Sequence, residues 1–188
     1  MHGLINYGLQ NFATRVFGHA LWLDVCSAAR LPSEEFETML IYEDWMTDAV
    51  IREIAEKTNN TRESMLEDFG TFLVSEHSSP MVLRLLQLGG ARFEEFLEAL
   101  PNVYEHLKIA IPELEMPLMH LEENGEGDYG VHFISPRDGY GEVCLGLLRA
   151  MADQYGVLVT VSLKKERQEN EVLNMLKIRI FDTREATQ

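Results

Sequence analysis

Basic residues are scarce in this chain, and their scarcity excludes two classes of partner. The 188 residues include 16 lysines and arginines against 31 aspartates and glutamates, which gives a formal net charge of −15. A surface of this sign repels phosphate backbones and anionic lipid headgroups. We therefore expect neither nucleic acid nor a membrane surface as a partner.

Long apolar runs, a signal peptide and cysteine pairs are also missing. No apolar run approaches the roughly 20 residues of a membrane-spanning helix, and the start MHGLINYGLQ lacks a basic segment and a cleavage site. Cys26 and Cys144 lie far apart in apolar surroundings, as buried free thiols do in a reducing compartment. These absences predict a cytoplasmic protein with two structural thiols.

The spacing of apolar residues changes once along the chain. It is helical up to about residue 111 and has period two from Met116 onward, interrupted by one helical segment at 143–155. The predicted helix starts are Thr47 as cap of residues 49–57, Asn60 with Glu63 as a capping box, and Pro101 in the first turn of a new helix. The polar stretches NGEGD and KKERQENE are predicted turns.

These patterns predict an α+β fold, in which a helical N-terminal lobe packs on a small antiparallel sheet of about four strands with one crossover helix. A chain of 188 residues suffices for one domain with a substantial core, and it contains no repeat or long linker. We expect one domain over 1–183, made of a helical lobe (1–111) and a sheet-containing lobe (112–183). Residues 184–188 would form a tail.

The common catalytic signatures are absent from the sequence. It contains no G-x-S-x-G, no Walker A motif, no H-E-x-x-H and no paired C-x-x-C. A general acid, a general base and a nucleophile cannot be assembled into one set. We therefore expect a protein that is not an enzyme.

Two residues are candidates to face a buried site. At about 100° per residue, Tyr104 falls inside an apolar stripe of its predicted helix and His106 falls at the stripe's edge. A core tyrosine whose hydroxyl finds a partner is the alternative role for Tyr104. His77 follows Leu73 by four residues and is the other candidate, with a capping or surface histidine as the alternative.

The stretch FISPR carries the most informative motif. If the strand continues through it, period two puts Phe133, Ser135 and Arg137 on one face. A hydroxyl beside a permanently charged guanidinium suits a carboxylate ligand. An edge strand that ends at Pro136, followed by a solvated arginine, is the alternative.

The chain resembles the H-NOX family, the heme-based nitric oxide and oxygen binding domains of bacteria and of the N-terminus of soluble guanylate cyclase. The resemblance rests on the start MHGLI, the FG at 69–70, the segment 89–100 with the helix after it, Pro117, and the motif FISPR. It implies heme propionates held by a Tyr-x-Ser-x-Arg motif, in which Ser135 and Arg137 match and Phe133 replaces the tyrosine. It also puts Pro117 among the heme-binding residues.

The resemblance places the family's proximal histidine at Tyr104. Three outcomes are open: a tyrosinate binds ferric heme, as catalase shows is possible; another residue such as His77 supplies the bond; or heme is absent. A tyrosinate is a hard anion that favours ferric iron, whereas nitric oxide sensing in the family uses ferrous iron and a neutral histidine.

By resemblance, the distal wall is aliphatic and consists of Ile5, Leu73, Val74, Val143 and Leu147. Such a wall offers no hydrogen bond to bound oxygen and favours nitric oxide. The implied function is a heme-based sensor of a diatomic gas that signals to a separate partner, such as a histidine kinase or a cyclic-dinucleotide enzyme. The alternative is a heme-free regulatory module that keeps the fold for protein contacts.

Overall fold

The structure is a computed structural model that describes residues 1–75, 89–111, 113–114, 116–169 and 171–181. At positions 104, 105, 107, 108 and 110 it describes the backbone and not the side chains. The described residues form six α-helices and one four-stranded antiparallel sheet. The predicted fold class is confirmed. His77 and the predicted tail lie outside the described residues.

The helices occupy most of the N-terminal part, and the strands follow. The helices are α1 (Gly3–Phe12), α2 (His19–Ala29), α3 (Asp44–Lys57), α4 (Arg62–Val74), α5 (Phe93–Ala110) and α6 (Tyr140–Gln154). The strands are β1 (Met119–Gly125), β2 (Asp128–Ser135), β3 (Leu158–Arg167) and β4 (Val172–Phe181), in the spatial order β1-β2-β4-β3. A π-helical turn, Ala13–Phe17, extends α1 to Gly18. Helix α6 is the crossover connection between β2 and β3.

Two apolar clusters lie on either side of the boundary between helices and sheet. The helical core is built around Phe12, Trp22, Ile54, Met65 and Phe69. The sheet core is built around Phe93, Phe96, Phe133, Leu148 and Leu176. Helices α4 and α6 cross at this boundary, where Gly70 of α4 lies against the carbonyl oxygen of Val143 and Gly146 of α6 lies against that of Glu67.

Three predicted helix starts were wrong. Helix α3 begins at Asp44, so Thr47 lies inside it, buried, with Oγ1 donating to Asn6 Oδ1 at 2.6 Å. The cap of α4 is Thr61, whose Oγ1 accepts from the amide of Ser64 at 3.1 Å. Glu43, the residue before α3, makes no side-chain cap bond, whereas Thr61 is the direct neighbour of the predicted cap Asn60. Sequence spacing alone does not choose between adjacent polar residues that can both cap a helix.

Pro101 lies inside α5 and not in its first turn. The helix begins at Phe93 because Phe93, Phe96 and Leu97 are fully buried in the sheet core. Their spacing of three and four residues continues to Leu100. Burial of one apolar face therefore outweighs the preference of proline for a helix start.

The stretch KKERQENE is only partly a turn. Strand β3 runs through Lys164 and Lys165 to Arg167, and the turn is closed where the amide of Gln168 donates to the carbonyl of Glu171 at 2.9 Å. The predicted turn NGEGD does connect β1 to β2. Lys165 and Arg167 of β3 pair with Asp138 in the turn before α6, and a sequence pattern does not reveal such partners.

Both cysteines are free and buried, as predicted. Burial raises the pKa of Cys26 to about 11, and the nearby charge of Glu34 adds to the effect. Burial raises the pKa of Cys144 to about 12. Both thiols therefore stay protonated at neutral pH and unreactive. Across the described ranges, no helix has the length and apolar character needed to cross a bilayer.

Candidate functional site

Strand β2 positions the first two residues of the FISPR motif. Phe133 and Ser135 face the protein interior and are 2% and 0% exposed. Phe133 pairs in register with Met119 of β1 and Asn174 of β4. The strand ends at Ser135, as in the alternative of a strand that ends at Pro136, but β2 is an inner strand of the sheet and not an edge strand. Proline at 136 cannot donate to the ladder, which accounts for the end.

The hydroxyl of Ser135 is used inside the protein. It donates to the carbonyl oxygen of Arg137 at 2.7 Å and accepts from Asn174 Nδ2 at 3.0 Å. Asn174 Nδ2 also donates to the carbonyl of Val172 at 2.9 Å. Ser135 therefore fixes the backbone of the residue that carries the guanidinium. Its predicted contact with a propionate stays a prediction.

Arg137 lies in the turn after β2 and contacts the start of α3. Its Nη2 donates to Asp44 Oδ2, and its side chain is 31% exposed. The other oxygen of Asp44 accepts from the amino group of Met1 at 2.7 Å. Arg137 and Asp44 line a cavity of about 210 Å³, together with Met1, His2, Ile41, Glu113, Leu114 and Tyr140. Arg137 is thus neither a solvated surface residue nor fully enclosed.

The turn that carries Arg137 is clamped by ion pairs at Asp138. Lys165 Nζ lies 2.9 Å from Asp138 Oδ1 and also bonds Glu142, while Arg167 pairs with the second oxygen of Asp138. From α4, Arg62 Nη2 donates to the carbonyl of Asp138 at 3.2 Å. Side chains from α4, α6 and β3 therefore converge on one residue next to Arg137.

These contacts shift two pKa values in opposite directions. Burial alone would raise the pKa of Asp138, but the hydrogen bond and charge of Lys165 outweigh it and the pKa is lowered. Burial alone would lower the pKa of Lys165, but its bonds to Glu142 and Asp138 outweigh it and the pKa is raised. The contribution of ionised Asp138 to the free energy of unfolding is fully present above its unfolded pKa of about 4, and it is lost as the pH falls through the lower pKa of the folded protein. The contribution of charged Lys165 is fully present below its unfolded pKa of about 10, and it is lost as the pH rises through the higher pKa of the folded protein.

We expect Lys165→Met to lower the free energy of unfolding by about 3 kcal/mol at pH 7, because it leaves buried Glu142 without its cation. Glu142 is 4% exposed, and its Oε2 has no partner in the described part of the chain. Urea denaturation followed by circular dichroism measures the change. The matched control is Lys164→Met, which removes an exposed pair with Glu166 and should cost less than about 1 kcal/mol. Equal decreases in the free energy of unfolding for the two variants would show that the ion pairs of Lys165 stabilise the fold no more than an exposed pair does.

The predicted distal wall comes from three helices. Its residues are Ile5 on α1, Leu73 and Val74 on α4, and Val143 and Leu147 on α6. Val74 is buried and the other four are half-buried. Ile5, Leu73 and Val143 pack on the helical core, whereas Val74 and Leu147 belong to the sheet core or pack on it. The α4 and α6 members therefore meet at the crossing of these helices, between the two cores.

The predicted proximal residues are described only in part. Tyr104 lies within α5, and its side chain is outside the described atoms. His106 is exposed, and its Nδ1 lies 2.7 Å from the carbonyl oxygen of Asn102, so its predicted outward position is confirmed. Pro117 is buried between α5 and β1. Within the described residues, no three His, Cys, Asp or Glu side chains are grouped to hold a metal ion.

Heme presents two carboxylates at one edge, and Arg137 is a side chain that suits them. A guanidinium carries five N–H donors, and its Nη2 serves Asp44. The adjoining cavity of about 210 Å³ is below the roughly 300–1,000 Å³ of small-molecule sites, so it would admit carboxylate arms and not a whole ring. Asp44 and Glu113 also line the cavity and oppose an anion. The residues fit the carboxylate edge of heme, with Asp44 as a competitor.

Sequence reasoning missed Asp44, Asp138 and Lys165. Asp44 is 93 positions from Arg137, and a contact at that separation leaves no periodic signal. Lys165 and Asp138 were hidden in polar stretches that are typical of loops. The FISPR motif itself was the signal that led to this part of the molecule.

Residues 2–163 match the haem-NO-binding family, HNOB. Soluble guanylate cyclase 89Db of Drosophila melanogaster is 21% identical over 161 residues, which cover 85% of this chain and 24% of that protein. Soluble guanylate cyclase gcy-33 of Caenorhabditis elegans is 25% identical over 170 residues, covering 89% of this chain and 18% of that protein. The chain thus spans about a quarter or less of the length of these relatives.

Solved structures share the fold. A Cs H-NOX mutant superposes with a TM-score of 0.83 at 14% identity and covers 97% of both chains. An oxygen-binding H-NOX domain related to soluble guanylate cyclases, solved as its oxygen complex, superposes with a TM-score of 0.79 at 15% identity. The superposition covers 97% of this chain and 96% of that chain. The family match over most of the sequence, with the same fold, confirms the resemblance: the chain belongs to the haem-NO-binding (HNOB, H-NOX) family.

Proposed function

We propose that this chain is a heme-binding sensor domain for nitric oxide that signals to a separate partner protein. The observation that carries the proposal is the family match over residues 2–163, with Arg137 retained at a clamped turn beside a cavity. The bound heme would supply an iron centre for a diatomic gas. The proposed axial ligand is Tyr104, and His77 is the other candidate.

The chain's own residues have separable roles in this proposal. The guanidinium of Arg137 would hold a propionate by charge-assisted hydrogen bonds, the strong kind. Ser135 would position it, because its hydroxyl bonds the carbonyl oxygen of Arg137. Phe133 would add apolar surface where the family has a tyrosine. Pro117, buried between α5 and β1, would contact the ring.

The aliphatic distal wall supports nitric oxide as the preferred gas. Side-chain hydrogen-bond donors are absent from its five residues, Ile5, Leu73, Val74, Val143 and Leu147. Bound oxygen depends on such a donor more strongly than bound nitric oxide does. The partner of the domain would be a histidine kinase or a cyclic-dinucleotide enzyme, by analogy with the family. The proposal places the protein in the cytoplasm of a bacterium.

A heme-free interaction module is the second candidate function. Arg137 is already paired with Asp44, so a structural use for this arginine exists without a cofactor. Tyr104 and Phe133 both depart from the family's heme-binding residues. The two functions differ in whether the guanidinium can exchange its carboxylate partner for a propionate.

Hemin titration of Arg137 variants tests the exchange. We expect Arg137→Ala to weaken hemin binding by about 1.5–3 kcal/mol, the usual scale for a hydrogen bond to a charged group. Asp44→Asn should strengthen binding, because it removes the carboxylate that competes for Nη2. Arg179→Ala is the matched control, since its guanidinium is exposed on β4 and makes a long contact of 3.8 Å with Asp128. Unchanged affinity in Arg137→Ala would rule out its propionate role.

A further inference from the structure

The loop before α3 and the first turn of α3 expose an apolar patch that contains none of the residues assigned to heme. Met39, Leu40, Ile41 and Trp45 are 78%, 53%, 62% and 45% exposed. Exposed apolar side chains scattered singly need no explanation, but three consecutive ones with an exposed tryptophan four residues further on are a local concentration of apolar surface. We call these four residues the apolar patch.

The loop that carries Met39, Leu40 and Ile41 is fixed by backbone hydrogen bonds and by an aromatic contact. The amide of Gly3 donates to the carbonyl of Leu40 at 2.7 Å, and the amide of Tyr42 donates to that of Met1 at 2.9 Å. The rings of Phe36 and Tyr42 meet edge to face at 4.9 Å. The backbone is therefore held while the apolar side chains point outward. A surface that is pre-organised in this way loses little entropy when a partner covers it.

Charge surrounding the patch defines the chemistry of its partner. Between Arg30 and Arg52 the chain has no lysine or arginine. It has six exposed acidic residues, which are Glu34, Glu35, Glu37, Glu43, Asp44 and Asp48. Asp44 is paired with Arg137 and the amino group of Met1, so the acidic rim consists of the other five. An apolar centre with a mainly acidic rim is complementary to an apolar stripe flanked by basic residues.

We propose that the apolar patch docks a basic amphipathic helix of a partner protein. A helix is favoured over an added strand because Leu40 and Tyr42 already use backbone groups in hydrogen bonds to Gly3 and Met1. Contact is then made through side chains, with leucine-type residues on the patch and lysines or arginines over the acidic rim. Ile41 and Asp44 also line the cavity beside Arg137, so the docked helix would lie next to the proposed propionate site.

This inference deepens the proposed function by naming the chemistry of the partner, and its test contains no heme. The probe is a fluorescein-labelled synthetic helix of leucine and lysine at amphipathic spacing, and binding is followed by anisotropy at physiological salt. We expect Met39→Ser/Leu40→Ser to weaken binding about tenfold, as loss of a central apolar contact does. Glu35→Gln/Glu37→Gln should also weaken it, by lowering the complementary charge.

Two controls separate the patch from nonspecific attraction to an acidic protein. Leu158→Ser removes a side chain that is 59% exposed on β3 and should change binding less than about twofold. A serine and lysine peptide of the same charge should bind the native protein and the patch variant equally. The proposal is overturned if Met39→Ser/Leu40→Ser binds the leucine and lysine helix as the native protein does. It is also overturned if sedimentation shows a dimer that this variant abolishes, since a second copy would then be the occupant.

Discussion

Gly146→Ala is expected to lower the free energy of unfolding by about 3 kcal/mol or more, the upper end for overpacking. A β-carbon at Gly146 would overlap the carbonyl oxygen of Glu67 and lie 3.0 Å from the amide nitrogen of Thr71. Both atoms belong to the backbone of α4, so no side-chain rotation relieves the overlap. The gain in helix propensity from glycine to alanine, about 1 kcal/mol, is smaller than this cost.

Gly8→Ala is the matched control for this variant. Its β-carbon would meet only the ring of Phe69, at 3.2 Å, and a ring edge can shift by the few tenths of an ångström required. Its stability should therefore change by less than about 1 kcal/mol. Urea denaturation measures both variants. Similar unfolding energies for Gly146→Ala and the native protein would mean that α4 and α6 are not in backbone contact.

The close approach at Gly146 also matters for the proposed pocket. Val143 and Leu147 flank this glycine on α6, and Leu73 and Val74 follow Gly70 on α4 by one turn. Forcing the helices apart would move these four of the five predicted distal residues relative to each other. Gly146→Ala protein that remains folded should therefore also bind hemin more weakly than Gly8→Ala.

The second large effect is expected at Tyr104. Tyr104→Phe removes one hydroxyl, so the fold should persist while the spectrum of a tyrosinate-bound heme is lost. Tyr104→His should give a heme that is reduced readily and binds nitric oxide, because a neutral imidazole stabilises ferrous iron better than a phenolate does. Absorption spectra of the ferric, reduced and nitric-oxide-treated forms measure both outcomes. Identical spectra for the native protein and Tyr104→Phe would exclude tyrosinate ligation.

The fold could be predicted from sequence because its main signals are local. The change from helical to period-two spacing near Met116 separates α5 from β1, and the alternation at 129–134 and 176–180 defines β2 and β4. The end of β2 at Ser135 was left open, because the pattern allowed the strand either to continue through Pro136 or to end there. A strand that continues and a strand that ends have the same residues up to that point.

The candidate site was predictable only where a motif marks it. Ser135 and Arg137 were found because they share the FISPR stretch. The pairing of Arg137 with Asp44 depends on the packing of the β2 turn against α3, and no spacing rule connects residues 93 positions apart. Lys165 was assigned to a solvated turn because its neighbours are charged. Its burial against Glu142 depends on α6 and β3 lying side by side.

The central claim, that this chain binds heme through α5 and the β2 turn, is tested most directly by one hemin titration followed by absorption. We predict a Soret band that saturates at equimolar hemin in the native protein and changes position in Tyr104→His. Native-like circular dichroism with no Soret band, in both the native protein and Tyr104→His, would contradict the account and leave the heme-free interaction module.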